Sequence, residues 1–417
     1  MADFLRDREL DQLVAELNSG SAPPVEDSAP EAPPLTLPAT PPAPPPRSAP
    51  ALDAPRLHRV ESADPLARIL KEMVVRGASD LLLVPGEPPV LRLDGQLVKA
   101  EAAELGSEEL RALFRPHLSE RLQQNLREHG GADFSIVLDG NGGGTRFRVN
   151  LHRQRGRLAA ALRALPRQVP TLEALHLPPA LARLVQPLRG LVLVCGATGA
   201  GKTTTLAALV GEINRRRACH VLTIEDPIEY EHENQQAIVE QIEVGVDAPS
   251  FASALRACLR QDPDVILVGE MRDLETIATA LTAAETGHLI LSTLHTSDVA
   301  QAVHRIVDVF PAVQQGQIRH QLAMSLTAVV CQQLVPRADG AGRLPAVEVL
   351  VANYAVRNHI RKDTLQNLYT EITLGKRQGA VSLEDSLAAL VRSGAVNREE
   401  AFLRATRPDE LESLLRR

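Results

Sequence analysis

Short apolar runs alternate with longer amphipathic segments through the second half of the chain. Strands are predicted at 191–195, 220–224, 265–269 and 289–293, and helices at 203–216, 250–261, 273–286 and 298–309. This alternation is typical of βαβ units, in which helices cover both faces of a parallel sheet. A return strand is predicted at 345–350, followed by helices with caps at Ser382 and Asn397. From about residue 180 the pattern therefore indicates an α/β domain followed by helices.

The first half of the chain carries shorter apolar runs in a less regular order. Strands are predicted at 81–84, 90–93, 96–98, 134–138, 146–151 and 159–165. A helix begins at Pro65, capped by Asp64 or Ser62, and a helical pair near 107–128 interrupts the strands. Asp94 and Gly95 form a hairpin turn signal between two strands. This mixture predicts a small α+β domain.

The N-terminal segment differs in composition from the rest of the chain. Its apolar residues at helical spacing are Leu10, Leu13, Val14 and Leu17. Residues 1–20 therefore form either a short helix that docks an unidentified partner or a weakly ordered tail. Residues 21–56 are dominated by Pro and Ala, which predicts a stiff, extended linker. We divide the chain into a tail at 1–60, an α+β domain at 61–170, an α/β domain at 171–350 and a helical region at 351–417.

The composition excludes several function classes. The 417 residues include 52 Asp and Glu against 45 Lys and Arg, so there is no general basic field for nucleic acid. Aromatic residues make up 2% and Trp is absent, which disfavours a stacking platform for single strands. We therefore expect no nucleic-acid partner.

The spacing of the cysteines and the hydropathy of the chain indicate its cellular compartment. The four cysteines are scattered without a C-x-x-C pair, which disfavours a structural zinc site and favours a reducing, cytoplasmic environment. No apolar run approaches the roughly 20 residues that span a bilayer. Any membrane association is therefore expected to go through a partner.

Residues 191–205 contain the most specific motif of the chain. An apolar strand runs into the pattern G-x-x-x-x-G-K-T, the phosphate-binding loop of nucleoside triphosphatases. Glycines allow a tight turn in which successive N–H groups point at phosphate oxygens. Lys202 supplies charge to the β- and γ-phosphates, and the Thr203 hydroxyl can bind Mg²⁺. The predicted nucleotide-binding residues are Gly196, Ala197, Thr198, Gly199, Ala200, Gly201, Lys202, Thr203 and Thr204.

Two acidic motifs follow at predicted strand ends. Glu270 comes directly after an apolar strand and Gly269, as in a Walker B motif, and it can accept a proton from water or hold a water on Mg²⁺. Glu225 and Glu229 belong to a second acidic run suited to metal contacts through water. The predicted metal site consists of Thr203, Glu225 and Glu270. Taken alone, Glu270 is also compatible with a surface residue beyond a core strand, and the run at 225–229 is compatible with a solvated turn.

Histidines and arginines complete the candidate chemistry. His288 and His295 flank the strand after Walker B, so they are candidate γ-phosphate sensors or residues that transmit the phosphate state to a neighbouring surface, although each histidine alone is more often structural. Arg148, Arg155 and Arg163 lie in the smaller domain. Such arginines stabilise charge on a transferring phosphoryl group, and another subunit can supply them. Solvated arginines on strands are the equally open alternative.

With these motifs in order, the chain resembles the PilT-type pilus retraction ATPases of the secretion ATPase superfamily, which also has GspE-like and PilB-like members. The resemblance runs from about residue 64 to the C-terminus. It includes the phosphate loop at 196–203, an Asp box at 223–230, the Walker B stretch at 262–272 and a His box at 286–296. Residues 355–360 are similar to a motif of the retraction members. The four-cysteine zinc insert of many extension and type II secretion ATPases is missing from this sequence.

The resemblance implies a RecA-like P-loop NTPase core with a smaller PAS-like α+β domain before it and C-terminal helices after it. It implies a cytoplasmic homohexamer, peripheral to the inner membrane through a pilus platform protein, that hydrolyses ATP with Mg²⁺ to retract type IV pili in twitching motility. The implied catalytic residues are Glu270, Glu225, Glu229, Arg148, Arg155, His288 and His295. The alternatives are a pilus assembly or type II secretion ATPase, and a nucleotide-dependent regulatory module that does not hydrolyse.

Overall fold

The computed structural model describes residues 58–61, 63–93, 95–139, 144–166, 168–340 and 342–416. The predicted helix at 1–20, the linker at 21–56, the capping candidate Ser62 and the turn residue Asp94 lie outside the described residues. The first strand among the described residues spans His58–Val60 and pairs with a later strand. The predicted boundary at residue 60 therefore falls after the first strand rather than before it.

The first sheet has seven strands in the order β1-β5-β6-β7-β2-β3-β4. They are β1 His58–Val60, β2 Asp80–Leu83, β3 Val90–Leu93, β4 Gln96–Lys99, β5 Gly131–Leu138, β6 Thr145–Gln154 and β7 Arg157–Ala164. β1 is parallel to β5, and the other neighbours are antiparallel. The helices are α1 Pro65–Val75, α2 Ser107–Phe114 and α3 Glu120–Glu128. The predicted α+β organisation of this part is confirmed.

Local chemistry explains how the first sheet is covered. Asp64 caps α1, as predicted, by accepting a hydrogen bond from the Leu66 backbone N–H at 2.8 Å. Buried apolar residues of α1 and α2 share one core with alternate residues of β6, among them Phe147 and Val149. One face of the sheet is therefore packed, and the opposite face carries polar side chains such as Arg148.

The second sheet also has seven strands, in the order β10-β9-β11-β12-β8-β13-β14. They are β8 Gly190–Cys195, β9 His220–Glu225, β10 Ile238–Glu243, β11 Val265–Val268, β12 Leu289–Leu294, β13 Leu326–Pro336 and β14 Arg343–Val351. All neighbours are parallel except β13 and β14. The helices between the strands are α4 Lys202–Arg216, α5 Phe251–Cys258, α6 Leu274–Thr286, α7 Val299–Asp308 and α8 Ala312–Ser325.

Helices cover both faces of this sheet, as the apolar strands predict. Every residue of β8, β11 and β12 is buried. Leu191 and Leu193 of β8 pack into the core on one face, and Val192 and Val194 pack into the core on the other. Because the strands are parallel, their carboxyl ends share one edge, where ligands bind in such sheets. The predicted α/β fold class is confirmed.

Two strands of the second sheet are absent from the sequence-based prediction. β10 mixes polar and apolar residues, so its apolar signal is weak. β13 begins at Leu326 directly after the last residue of α8, with no Gly or Pro between helix and strand. The sequence therefore lacks the turn signal that separates adjoining elements.

The chain ends in a group of short helices beside β14. They are α9 Tyr354–Arg361, α10 Leu368–Leu374, α11 Leu383–Arg392, α12 Arg398–Phe402 and α13 Pro408–Leu415. The predicted cap is present at Ser382, which accepts from the Asp385 N–H at 3.1 Å, whereas Asn397 precedes α12 without a side-chain cap bond. Among the described residues, no helix combines the length and apolar character required to cross a bilayer.

Candidate functional site

The loop between β8 and α4 has the backbone of a phosphate-binding turn. Gly196, Gly199 and Gly201 adopt φ values of 147°, 78° and 87°, a region that L side chains rarely enter. A Cβ atom on Gly196 would lie 2.4 Å from the Gln332 carbonyl oxygen, so this position also lacks room for a side chain. Ala197, Thr198 and Gly199 are exposed at the tip, and α4 begins at Lys202. The predicted loop is therefore shaped for backbone recognition of an anion.

Lys202 lies against this loop rather than in open solvent. Its side chain is buried, and Nζ donates to the carbonyl oxygens of Gly196 at 2.8 Å and Ala197 at 3.1 Å. Burial lowers the pKa of Lys202, and the nearby Glu270 carboxylate opposes that shift. A partly desolvated ammonium interacts more strongly with an anion than one in water.

Glu270 follows β11 at the same edge of the sheet. Its Oε1 lies 3.3 Å from His295 Nε2 and 2.5 Å from Arg272 Nε. Burial by itself would raise the pKa of Glu270, but the hydrogen bond and charge of Arg272, helped by the nearby His295 and Lys202, hold it below the ordinary value. The structure therefore brings the predicted acid, one predicted histidine and the loop lysine together.

The end of β11 is fixed by the neighbouring strand β12. Ser292 Oγ donates to the Val268 carbonyl at 2.7 Å, and Thr293 Oγ1 donates to the Gly269 carbonyl at 2.7 Å. A Cβ atom on Gly269 would lie 3.0 Å from the Ile224 carbonyl oxygen, so glycine allows β9 and β11 to approach closely here. Glu270 is thus carried on a backbone with little freedom to move.

The Asp box lies next to the loop helix. Glu225 at the end of β9 is buried and accepts from Thr223 Oγ1 at 2.7 Å and from Gln241 Nε2 at 3.1 Å. Burial raises the pKa of Glu225, and these two donors oppose the shift. Tyr230 Oη donates to Thr204 Oγ1 at 3.2 Å, which links the Asp box to the start of α4. The Thr204 side chain therefore contacts the Asp box.

Glu229 connects the Asp box to the first sheet. Burial raises the pKa of Glu229, and the guanidinium groups of Arg148 and Arg163 oppose the shift. Arg148 is exposed and 3.8 Å from Asp133, and Arg163 donates to Asp80 at 2.8 Å. Two of the candidate arginines therefore lie in reach of an Asp-box charge within one chain.

Arg155 is placed differently from Arg148. It occupies the exposed turn between β6 and β7 with φ of 49°. The turn lies seven residues beyond Arg148, or roughly 20 Å farther along the hairpin. Within the described part of the chain, Arg155 forms no ion pair, and its contact with nucleotide stays a prediction.

The structure places the two predicted histidines at opposite ends of β12. His288 precedes β12 and contacts the Ala283 carbonyl through Nδ1 at 3.1 Å, whereas His295 follows β12 beside Glu270. The six residues of β12 separate the two rings by roughly 20 Å. Flanking a strand in sequence places residues at its opposite ends, and only His295 reaches the edge that carries the phosphate loop.

The described residues contain no group of three or more His, Cys, Asp or Glu side chains arranged to hold a metal ion by themselves. Thr203 is partly exposed in the first turn of α4, and Glu270 is partly exposed nearby, while Glu225 is buried. A hydroxyl and carboxylates are oxygen donors that suit Mg²⁺, which retains waters and takes phosphate oxygens as ligands. The donor set therefore fits a metal that arrives with its nucleotide.

Three interactions at the site carry no signal in the sequence pattern. Gln332 of β13 bonds the phosphate loop, and Gln241 of β10 bonds Glu225, and both residues belong to strands that the apolar pattern missed. Arg146 of β6 donates to the Glu243 carboxylate, and both side chains are buried. Glu243 also accepts from the Ile228 N–H at 3.2 Å, so this ion pair joins the first sheet to the Asp box.

The fold and the site together define a P-loop nucleotide-binding protein of the α/β class. The family model described as "Type II/IV secretion system protein" matches residues 62–400. The chain belongs to this family, and its predicted resemblance to the PilT-type ATPases is confirmed by the relatives that follow.

The "Type IV pilus retractation ATPase PilT" of Pseudomonas aeruginosa is 42% identical over 344 residues, which cover 82% of this chain and 99% of the relative. The "Type IV pilus ATPase PilU" of the same organism is 39% identical over 349 residues, which cover 84% and 91%. A solved structure described as the pilus retraction motor PilT with bound ADP has 44% identity and a TM-score of 0.77. That match covers 84% of this chain and 99% of the solved one.

Proposed function

We propose that this chain binds ATP at the β8–α4 loop and hydrolyses it. The observation that carries the proposal is the convergence of Lys202, Glu270 and His295 at the carboxyl edge of the parallel sheet. A phosphate loop supplies binding, whereas an ionised carboxylate beside it supplies the base that hydrolysis requires. The relative with bound ADP supports the nucleotide as ligand.

Separate residues bind the phosphates, accept the proton and hold the metal. The loop N–H groups and Lys202 bind the phosphates, and Lys202 exchanges its bonds to loop carbonyls for bonds to phosphate oxygens. Glu270 accepts the proton of the attacking water, and its carboxylate stays ionised because Arg272 offsets the burial that would raise its pKa. Mg²⁺ would neutralise charge on the phosphates, held by Thr203 and, through water, by Glu225 and Glu270.

We further propose that hydrolysis powers retraction of type IV pili. Support comes from a relative named as the retraction ATPase, which this chain matches over 99% of the relative's length. The working form is a cytoplasmic homohexamer, in which Arg148 or Arg155 can reach a neighbour's nucleotide, and an inner-membrane pilus platform protein receives the motion. The first 57 residues lie outside the described structure, and their partner is unassigned.

The proposal predicts that the purified chain hydrolyses ATP in a Mg²⁺-dependent manner and that expression of the chain restores pilus retraction in a strain lacking its own retraction ATPase. Phosphate release measures the first property and twitching assays measure the second, while light scattering measures the size of the proposed ring. ATP turnover without restored retraction would support the proposed ATPase activity but contradict the proposed role in retraction. Absence of ATP turnover in a folded hexamer would contradict the proposed ATPase activity.

Two alternatives make different predictions in the same assays. A regulatory module that does not hydrolyse would bind ATP without phosphate release, although the position of Glu270 argues for hydrolysis. An assembly or type II secretion ATPase would turn over ATP but restore pilus extension or secretion instead of retraction. The chain is also 39% identical to the type IV pilus ATPase PilU. The twitching assay should therefore also be run in a strain that lacks a PilU-type ATPase.

Replacing His295 and His288 separately tests the placement of the two histidines. We expect His295→Ala to lower ATP turnover at least about tenfold, because the ring contacts the catalytic carboxylate. His288→Ala, the matched control at the other end of β12, should change turnover in the isolated protein less than about twofold. Phosphate release at saturating ATP measures both, and equal losses would contradict the assignment of His295.

A further inference from the structure

Gln332 lies on β13, the strand adjacent to the phosphate-loop strand, and it is 6% exposed. Its Nε2 donates to the carbonyl oxygen of Ala200 at 2.7 Å. Its Oε1 accepts from Thr205 Oγ1 at 2.8 Å. One buried amide therefore holds both the end of the phosphate loop and the first turn of α4.

The glycines of the loop are matched to this strand. A Cβ atom on Gly196 would lie 2.4 Å from the backbone carbonyl oxygen of Gln332, and a Cβ atom on Gly201 would lie 2.8 Å from its Nε2. Side chains at these positions would push β13 and the amide away from the loop. Two glycines thus serve the approach of Gln332 in addition to the turn itself.

The orientation of carbonyl groups decides whether such a loop can bind an anion. N–H groups must point inward, and a carbonyl oxygen that turned inward would repel phosphate. Lys202 holds the carbonyls of Gly196 and Ala197, but a phosphate competes for its ammonium. The Ala200 carbonyl is held by a neutral amide on another strand, so this restraint persists when phosphate binds.

We propose that Gln332 is a positioning residue for nucleotide binding, which fixes the Ala200 peptide so that its carbonyl points away from the phosphate. This inference rests on the proposed function, because it assigns a role within the ATP site. Gln332 acts through the loop backbone and leaves the base Glu270 untouched. Loss of the amide should therefore weaken nucleotide affinity more than it slows the chemical step.

The test uses the full chain with Gln332→Met, which keeps the side-chain length and removes both hydrogen bonds. Gln333→Met is the matched control, since Gln333 is half-buried on the same strand and donates to the Arg404 carbonyl at 3.2 Å instead. Calorimetry with ADP gives Kd, steady-state assays give KM and kcat, and thermal unfolding without nucleotide gives Tm. If Gln332→Met does not fold, Gln332→Glu preserves the shape and the acceptor for Thr205.

We expect Gln332→Met to raise the Kd for ADP and the KM for ATP about tenfold, the scale of two lost hydrogen bonds. The value of kcat should stay within about threefold, and Gln333→Met should keep wild-type affinity. Unchanged affinity in the Gln332 variants, or an equal loss in Gln333→Met, would overturn the proposal. A wild-type chain that binds no ADP would instead overturn the proposed function.

Discussion

Lys202→Ala should reduce ATP turnover at least about a hundredfold, the scale of losing one preorganised electrostatic group. The ammonium is buried against the loop, so its charge acts in a medium that screens it less than water. Alanine also leaves the carbonyls of Gly196 and Ala197 without their donor. Phosphate release measured at saturating ATP reports the loss directly.

The exposed Lys362→Ala is a suitable control, because it removes the same charge far along the sequence, in the turn that follows α9. Circular dichroism should show the same helix content in both variants, which separates lost chemistry from lost folding. Near wild-type turnover in folded Lys202→Ala would contradict the assignment of the phosphate loop.

Glu270→Gln should retain ADP binding within about threefold and lower kcat at least about tenfold, since an amide keeps the shape but cannot accept a proton. Nucleotide binding by calorimetry and single-turnover phosphate release measure the two effects independently. Because nearby cations hold the pKa of Glu270 below its ordinary value, wild-type activity should not fall through titration of this residue near pH 5.

Glu285→Gln, on the exposed surface of α6, is the control for loss of one negative charge. A kcat of Glu270→Gln that remains within severalfold of wild type would require another base. Glu225 would then be the next candidate, because it lies at the end of β9 in the same sheet.

The sequence predicts those parts of the fold and site that depend on local pattern. The apolar runs of β8, β9, β11 and β12 and the spacing of the phosphate loop are local features, and the structure contains each of them. Strand ends also indicate which residues share an edge, so Glu270 and His295 could be grouped in advance. His288 could not be placed in this way, because it precedes β12 and so lies at the opposite end of the strand from His295.

The remaining contacts depend on pairings across long sequence separations. Gln332 reaches the phosphate loop only because β13 lies beside β8, and that order is set by packing of the whole sheet. Arg146 and Arg148 are two residues apart on one strand, yet only Arg146 is buried against Glu243. No local pattern distinguishes these two arginines, since burial comes from the second sheet.

The buried pair of Arg146 and Glu243 limits how far the two halves of the chain are interchangeable. A hybrid that took its first sheet from a relative without the arginine would leave the Glu243 carboxylate buried without its cation. Breaking a buried pair on one side costs about 3–5 kcal/mol, a large part of the stability of a domain. A hybrid protein that keeps the stability of this chain must therefore carry both residues together.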